Sequence, residues 1–231
     1  MHTTFIRSNR KEIKAVIIDL DGTMIDTAPD FLVAINRMRS NLSLAPIDLD
    51  LIKLFIGKGS ENLIRRVLAL DFDDARQTSQ FTTALASYQH HYAIINGKQA
   101  TLFSGVREGL LALSAMNLRL ACVTNKPIAM ALSLLEQNSL RSFFEIVYGG
   151  DSLPTKKPDP APFLKVCADF AVLPRQVVVI GDSSNDAQAA RAAGCSVLCV
   201  PYGYNHGEPI QNINCDGIVA TLLDAADLIA A

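Results

Sequence analysis

The chain has 231 residues, of which 49% are hydrophobic, and its formal net charge is −2. It is long enough for one large core, or for a core with an insert. The near-neutral charge gives no basic face, so we expect neither nucleic acid nor a membrane surface as a partner. No apolar run approaches the ~20 residues that cross a bilayer, and the polar start lacks a secretory pattern. Five cysteines without C-x-x-C spacing indicate reduced thiols, and together these features predict a cytoplasmic protein.

The first predicted element is an apolar run from Ala15 to Ile18 that is typical of a strand buried on both faces of a parallel sheet. It ends in Asp19 and Asp21, followed by Gly22 and Thr23. Two acids at a strand end repel each other unless a cation lies between them. They could supply a nucleophile, a proton donor and a metal site. Turns also favour Asp-Gly pairs, so this pattern alone is structural or accidental about as often as catalytic.

The segment 27–96 has helical periodicity and no convincing strand. It is too long for an ordinary crossover between strands. We therefore predict an all-helical cap in residues 27–96, inserted into a core of residues 1–26 and 97–231, with the cap over the end of the first strand as a lid. The predicted cap helices are Phe31 to Asn41, Ile47 to Phe55, Glu61 to Leu70 and Asp74 to Tyr92.

Beyond the cap, short apolar runs alternate with helical patterns. This alternation predicts an α/β fold with a doubly wound, Rossmann-like parallel sheet. The predicted strands are Leu118 to Thr124, Ile146 to Gly149, Val177 to Asp182 and Val197 to Pro201. The predicted helices are Val106 to Met116, Ile128 to Gln137, Pro160 to Phe170, Asp186 to Ala193 and a closing helix from Ile218 to Ile229.

Chemistry-bearing side chains follow three later strands. They are Thr124 and Asn125, then Lys157, then Asp182 and Asp186. Parallel strands end at one edge of the sheet, so we expect these groups to meet the first two acids in one crevice. Each has a simpler reading: a helix cap, a solvated lysine, or acids favoured by a helix dipole. Four such coincidences on one face are improbable, which favours a catalytic site.

The ordered set resembles the haloacid dehalogenase superfamily of phosphohydrolases over nearly the whole chain. The matching motifs are D-L-D-G-T, T-N-K, K-P-D-P and G-D-S-S-N-D. The resemblance implies that Asp19 attacks the phosphoryl group and that Asp21 protonates the leaving oxygen and then activates water. Thr124, the backbone of Asn125 and Lys157 would hold the phosphate. Mg²⁺ would be bound by Asp19, by the Asp21 carbonyl and by Asp182, with Asp186 acting through water or from outside the ligand sphere.

The chemistry fits these residue types. A carboxylate and a phosphate dianion repel each other, so a metal ion and a lysine are needed to offset the charge. Mg²⁺ prefers one or two carboxylates with water and phosphate oxygens. Carbon–halogen hydrolysis needs no metal, and the dehalogenases lack an acid at the position of Asp21. The presence of Asp21 therefore implies phosphoryl transfer.

The predicted cap contains Gly57-Lys58-Gly59 before a helical stretch, which is either an anion site or a simple turn. Together with Y-G-Y-N at Tyr202 to Asn205, it resembles the phosphoglycolate phosphatase branch. That resemblance implies that Lys58 binds a second anion, the carboxylate of the substrate.

We thus predict a Mg²⁺-dependent phosphatase for a small phosphorylated acid, with 2-phosphoglycolate as the leading candidate. The alternatives are a phosphatase for a sugar phosphate, a nucleotide or pyrophosphate, a phosphohexomutase, and a non-catalytic phosphate-sensing module. The sequence leaves open whether the protein is a monomer or a homodimer. It also leaves open the roles of His206 and of the segment Met1 to Arg10.

Overall fold

The computed structural model describes residues 13–231. Its centre is a parallel sheet of six strands in the order β5-β4-β1-β6-β7-β8. The strands are β1 Ala15–Ile18, β4 Arg119–Val123, β5 Ile146–Tyr148, β6 Val177–Gly181, β7 Ser196–Cys199 and β8 Gly217–Ile218. All four residues of β1 are buried, as expected of a strand covered on both faces. The segment 1–12, which includes all of Met1 to Arg10, lies outside the described residues.

Helices cover both faces of the sheet, which confirms the doubly wound α/β prediction. One face packs against α5 Val106–Ala115, α6 Ile128–Gln137 and α9 Leu222–Ala230. The other face packs against α7 Ala161–Asp169 and α8 Ser184–Ala193. Each layer buries its own apolar cluster against alternate side chains of the central strands, as a two-sided sheet requires.

Four helices form the cap. They are α1 Ala28–Asn41, α2 Leu49–Phe55, α3 Ser60–Leu68 and α4 Asp74–Ile95. They bury a third apolar cluster of their own, which Tyr204 of the core joins. The Asp48 and Asp73 carboxylates cap α2 and α4 by accepting from the backbone N–H groups of Leu51 and Arg76. The limits of 27 and 96 for the cap stay a prediction.

Two features were not predicted from the sequence. Strands β2 Ile25–Asp26 and β3 Thr101–Leu102 pair antiparallel where the chain leaves and re-enters the core. The stretch Ile218 to Ile229 is not one helix, because Ile218 extends the sheet beside β7 and the helix begins only at Leu222. The Thr221 hydroxyl caps that helix, accepting from the backbone N–H of Asp224, and fixes its start.

One buried side chain joins the two connections between the cap and the core. The Asp30 carboxylate of α1 accepts hydrogen bonds from the backbone N–H groups of Gly97 at 2.6 Å and Gln99 at 2.7 Å. The two chain crossings between cap and core are therefore joined directly. Within the described residues, no helix is long and apolar enough to span a bilayer.

Candidate active site

Three acids meet at the carboxyl edge of the sheet. Asp19 follows β1, Asp182 follows β6, and Asp186 lies in the first turn of α8. Because β1 and β6 are neighbours, one carboxylate oxygen from each of the three acids lies within 4.8 Å of the others. This clustering agrees with the crevice expected from the sequence.

Lys157 joins this acid cluster from the loop before α7. Its Nζ lies 2.8 Å from Asp19 Oδ1 and 2.8 Å from Asp186 Oδ1, and it donates to the carbonyl of Val123 at 2.8 Å. Burial alone would lower the pKa of the Lys157 ammonium, but Asp186 and Asp19 outweigh it and hold the pKa above its ordinary value. Lys157 is therefore a permanent buried cation between two of the acids.

Burial raises the pKa of two of the acids. The pKa of Asp19 lies well above its ordinary value because burial and the charges of Asp186 and Asp182 outweigh the attraction of Lys157. Burial, then Asp186, raises the pKa of Asp182 to about 7, although Tyr204 N and Thr23 Oγ1 donate to its carboxylate at 2.8 Å each. One lysine does not neutralise this cluster, and a hard divalent cation suits an all-oxygen donor set. The residues thus fit a divalent metal ion.

Asp186 differs from the other two acids in its partners. It is fully buried; its Oδ1 accepts from Lys157, and its Oδ2 accepts from the hydroxyl of Ser183 at 2.7 Å and from the backbone N–H of the same residue at 3.2 Å. Both oxygens are thus engaged with the protein. The expectation that Asp186 acts from outside the ligand sphere stays a prediction.

Gly22 allows the loop after β1 to approach Asp182. It has a φ of +83°, and a Cβ at this position would lie 2.4 Å from Asp182 Oδ2. A side chain here would meet both backbone strain and a clash with an acid of the cluster. The glycine of the D-L-D-G-T motif is therefore required by the close packing of these two loops.

Asp21 lies beside the cluster and below the cap. Its Oδ1 accepts hydrogen bonds from Thr27 Oγ1 at 2.7 Å and from Lys126 Nζ at 2.9 Å. No contact of Lys126 was predicted from the sequence. Its signal was present, because this lysine directly follows the two expected phosphate ligands in the T-N-K motif.

Thr124 and Asn125 lie at the end of β4, both buried. The amide of Asn125 donates to the carbonyls of Gly57 at 2.9 Å and Lys157 at 2.8 Å. The amide of Asn185 donates to the same Gly57 carbonyl at 3.1 Å. Two amides from the core thus bind one carbonyl of the cap, and the side chain of Asn125 is engaged there. Its backbone N–H is the group that the family resemblance assigns to phosphate.

A small cavity of about 60 Å³ lies between these strand ends and the cap. Its polar wall includes Asp19, Asp21, Thr124, Asn125 and Lys126. Its cap wall is formed mainly by apolar and aromatic residues: Phe31, Ile56, Leu63, Tyr88 and Tyr92. The cavity therefore offers charge at one end and an apolar enclosure at the other.

The structure does not bring Lys58 into this cavity. Gly57 and Gly59 line it, but Lys58 is exposed and lines a separate depression with Arg66 and His206. The ring of His206 packs against Gly57, and its Nε2 lies 3.1 Å from the amide nitrogen of Asn185. Burial, then the charges of Lys58 and Arg66, lowers the pKa of His206. The contacts of this histidine thus join a core loop to the cap.

The family model of haloacid dehalogenase-like hydrolases matches residues 16–200. The chain belongs to this family. The match extends from β1 through the cap to the end of β7, and therefore includes all the acids described above and both buried lysines.

Relatives of this hydrolase include proteins named phosphoglycolate phosphatase. The one from Nitrosospira multiformis is 48% identical over 94% of this chain and 96% of its own length. The one from Thiobacillus denitrificans is 46% identical over 93% of this chain and 94% of its own. A crystal structure of a predicted phosphoglycolate phosphatase from Haemophilus somnus superposes with a TM-score of 0.89 at 32% identity, covering 94% of this chain and 98% of that one.

Proposed function

We propose that this hydrolase is a Mg²⁺-dependent phosphatase that hydrolyses 2-phosphoglycolate through a phosphoaspartyl intermediate on Asp19. The observation that carries the proposal is the position of the Asp19 carboxylate. It lies at the wall of a small capped cavity, 2.8 Å from a buried lysine and within 4.8 Å of two further acids. A nucleophile for a phosphate dianion needs positive charge beside it. The lysine supplies one such charge, and a divalent ion held by the acids would supply the rest.

In the first half-reaction, an Asp19 oxygen forms a bond to phosphorus while the bond to the glycolate oxygen breaks. Asp21 gives its proton to that leaving oxygen, so glycolate departs as a neutral alcohol group. Thr27 and Lys126 hold Oδ1 of Asp21, and its other oxygen is the one we assign to proton transfer. Lys157, Thr124 and the Asn125 backbone hold the phosphoryl oxygens.

In the second half-reaction, Asp21 takes a proton from a water molecule. The water oxygen then forms a bond to phosphorus, and the bond from phosphorus to Asp19 breaks. Phosphate leaves, and both carboxyl groups return to their starting states. The same residue thus serves first as an acid and then as a base. One group can do both because it lies beside the reacting oxygen in both steps.

The residues that would hold Mg²⁺ are Asp19 and Asp182 through their carboxylates and Asp21 through its backbone carbonyl. Asp186 would support the site through Lys157 and Ser183, consistent with the hydrogen bonds that engage both of its oxygens. When bound, the ion supplies the positive charge that lets an anionic nucleophile approach an anionic phosphate.

Substrate size and identity rest on two kinds of support. A cavity of about 60 Å³ under a closed cap suits a small substrate, and closure excludes water from the reacting groups. The name phosphoglycolate phosphatase, carried by relatives at 46% and 48% identity over most of both chains, supports 2-phosphoglycolate.

We also propose a cytoplasmic location. All five cysteines lie in the described part of the chain as free thiols, and four of them are buried. Such thiols are typical of a reducing compartment.

The test is the substitution Asp19→Asn, assayed by phosphate release from 2-phosphoglycolate with excess Mg²⁺. We expect turnover to fall at least about 1,000-fold, since the covalent route is lost. Asp50→Asn, at an exposed acid of α2, is the matched control and should keep wild-type turnover. Circular dichroism checks that both variants fold. Turnover of the Asp19→Asn protein within about 10-fold of wild type would refute the nucleophile assignment.

A further inference from the structure

Lys126 is a buried cation of the core that contacts the cap. Its side chain is 1% exposed, and Nζ lies 2.9 Å from Asp21 Oδ1. The same nitrogen donates to the hydroxyl of Tyr92 on α4. It also lies 4.9 Å from the ring centre of Phe31 and 4.7 Å from that of Tyr92, within cation–π range. A desolvated positive charge thus lies at the boundary between the core and the cap.

This boundary is where the leaving group of the proposed reaction lies. Asp21 would protonate the leaving oxygen, so whatever that oxygen carries must extend from Asp21 into the cavity. The cavity wall on that side is formed by Phe31 and Tyr92, with Lys126 beside them. Lys126 is therefore next to the part of the substrate that distinguishes one phosphate ester from another.

Charge makes Lys126 the suitable partner for an anionic leaving group. Among the described residues that line the cavity, it is the only lysine or arginine. An ammonium has three donors, and Lys126 uses two of them for Asp21 and Tyr92. A carboxylate that entered this largely apolar enclosure would need a charged donor to offset its loss of water.

We propose that Lys126 recognises the carboxylate of the leaving group and thereby selects phosphorylated short hydroxy acids over neutral phosphate esters. The inference rests on the proposed function and assigns its specificity to a residue of the core. It also replaces Lys58, which lies in a separate depression, as the expected partner of the second anion.

The test compares 2-phosphoglycolate with ethyl phosphate, in which a methyl group replaces the carboxylate. Lys126→Met keeps an aliphatic side chain against the two rings and removes the charge. We expect kcat/KM for 2-phosphoglycolate to fall about 100-fold more than kcat/KM for ethyl phosphate, with a raised KM for 2-phosphoglycolate. Any loss shared by the two substrates reports the contact of Lys126 with Asp21. Lys126→Gln, the second variant in case the first fails to fold, should lose the same preference.

Two other lysines serve as comparisons. Lys98→Met, at an exposed position after α4, should keep both activities at wild-type values. Lys58→Met decides between the two candidate partners, since loss of the carboxylate preference in that variant, and not in Lys126→Met, would overturn the inference. Equal losses in kcat/KM for both substrates in Lys126→Met would also overturn it, because they would mean that Lys126 acts only through Asp21.

Glycolate binding, measured by calorimetry, tests the inference without turnover. We expect wild type to bind glycolate and Lys126→Met to bind it at least about 10-fold more weakly. Equal binding by both proteins, or none by wild type, would overturn the role of Lys126. If wild type fails to hydrolyse 2-phosphoglycolate but shows this difference in glycolate binding, the proposed function fails while the assignment of Lys126 stands.

Discussion

Lys157 offers the strongest test of how the acid cluster is held together. Its Nζ lies 2.8 Å from carboxylate oxygens of both Asp19 and Asp186, and its side chain is 2% exposed. The substitution Lys157→Met fills much of the same space but removes the charge. In metal-free buffer, the two acids would then face each other without their buried cation.

The loss of unfolding free energy in Lys157→Met follows from these contacts. Removal of one partner from a buried ion pair costs about 3–5 kcal/mol of unfolding free energy, because the other charge is left uncompensated. Asp186 keeps two hydrogen bonds from Ser183, which puts our expectation at the lower end, about 3 kcal/mol. For a protein of this size, that corresponds to a fall in Tm of about 6–12 °C.

Urea denaturation and thermal melting in EDTA would measure this loss. The matched variant is Lys157→Met with Asp186→Asn, which removes one cation and one anion together. We expect this double variant to recover at least half of the lost stability, since the remaining polar groups can still bond to Ser183. A loss below about 1 kcal/mol in Lys157→Met, or a double variant no more stable than the single one, would refute the reasoning.

Three further predictions follow from the same region. The raised pKa of about 7 means that Asp182 keeps its proton to higher pH in the folded chain than in the unfolded chain. This difference in proton binding stabilises the folded state fully below about pH 4, and the stabilisation is lost as the pH rises through 7. Metal-free protein should therefore melt at lower temperature at pH 8 than at pH 5, and Mg²⁺ should reduce the difference. Gly22→Ala should weaken Mg²⁺ binding at least about 10-fold by calorimetry, through strain and the clash with Asp182. Tyr204→Phe should cost about 1–3 kcal/mol in urea denaturation, because its hydroxyl accepts from the backbone N–H groups of Thr27 and Ala28 and donates to Asp26.

Each of these has its own contradicting result. An Asp182→Asn protein that keeps the full pH difference would show that another group causes it. Wild-type Mg²⁺ affinity in Gly22→Ala would mean that the loop can shift away from the acid. An unchanged midpoint in Tyr204→Phe would mean that water replaces the lost hydroxyl. Tyr148→Phe is the comparison, at a half-buried position whose hydroxyl donates to Asp169.

The core and its strand ends were predictable because they depend on local pattern and on one topological rule. Apolar runs identified β1, β4 and β6, and parallel strands end on the same edge. Asp19, Asp182 and Asp186 therefore approach one another because β1 and β6 lie side by side, an order that the sequence did not predict. Strands β2 and β3 have two residues each, too few to show any periodicity.

The cap wall of the cavity was less predictable because it depends on packing between helices that are distant in sequence. Lys58 was expected in the site because its G-K-G motif resembles the phosphoglycolate phosphatase branch, but the loop directs the two glycines inward and leaves the lysine exposed. Lys126 has the ordinary appearance of a loop lysine after a strand. Only its contacts with Phe31 and Tyr92, which lie more than thirty residues away in sequence, reveal it as buried.

The carbonyl oxygen of Gly57, which accepts from two amides of the core, affects how the cap opens. Asn125 lies in the loop after β4 and Asn185 lies in the first turn of α8, and both donate to it. If the cap moves away from the core, both amides lose this acceptor in the same motion. A partly open state would therefore already lack both hydrogen bonds and would be less stable than the closed state. We therefore expect opening to be cooperative, and departure of the products to wait on that single event.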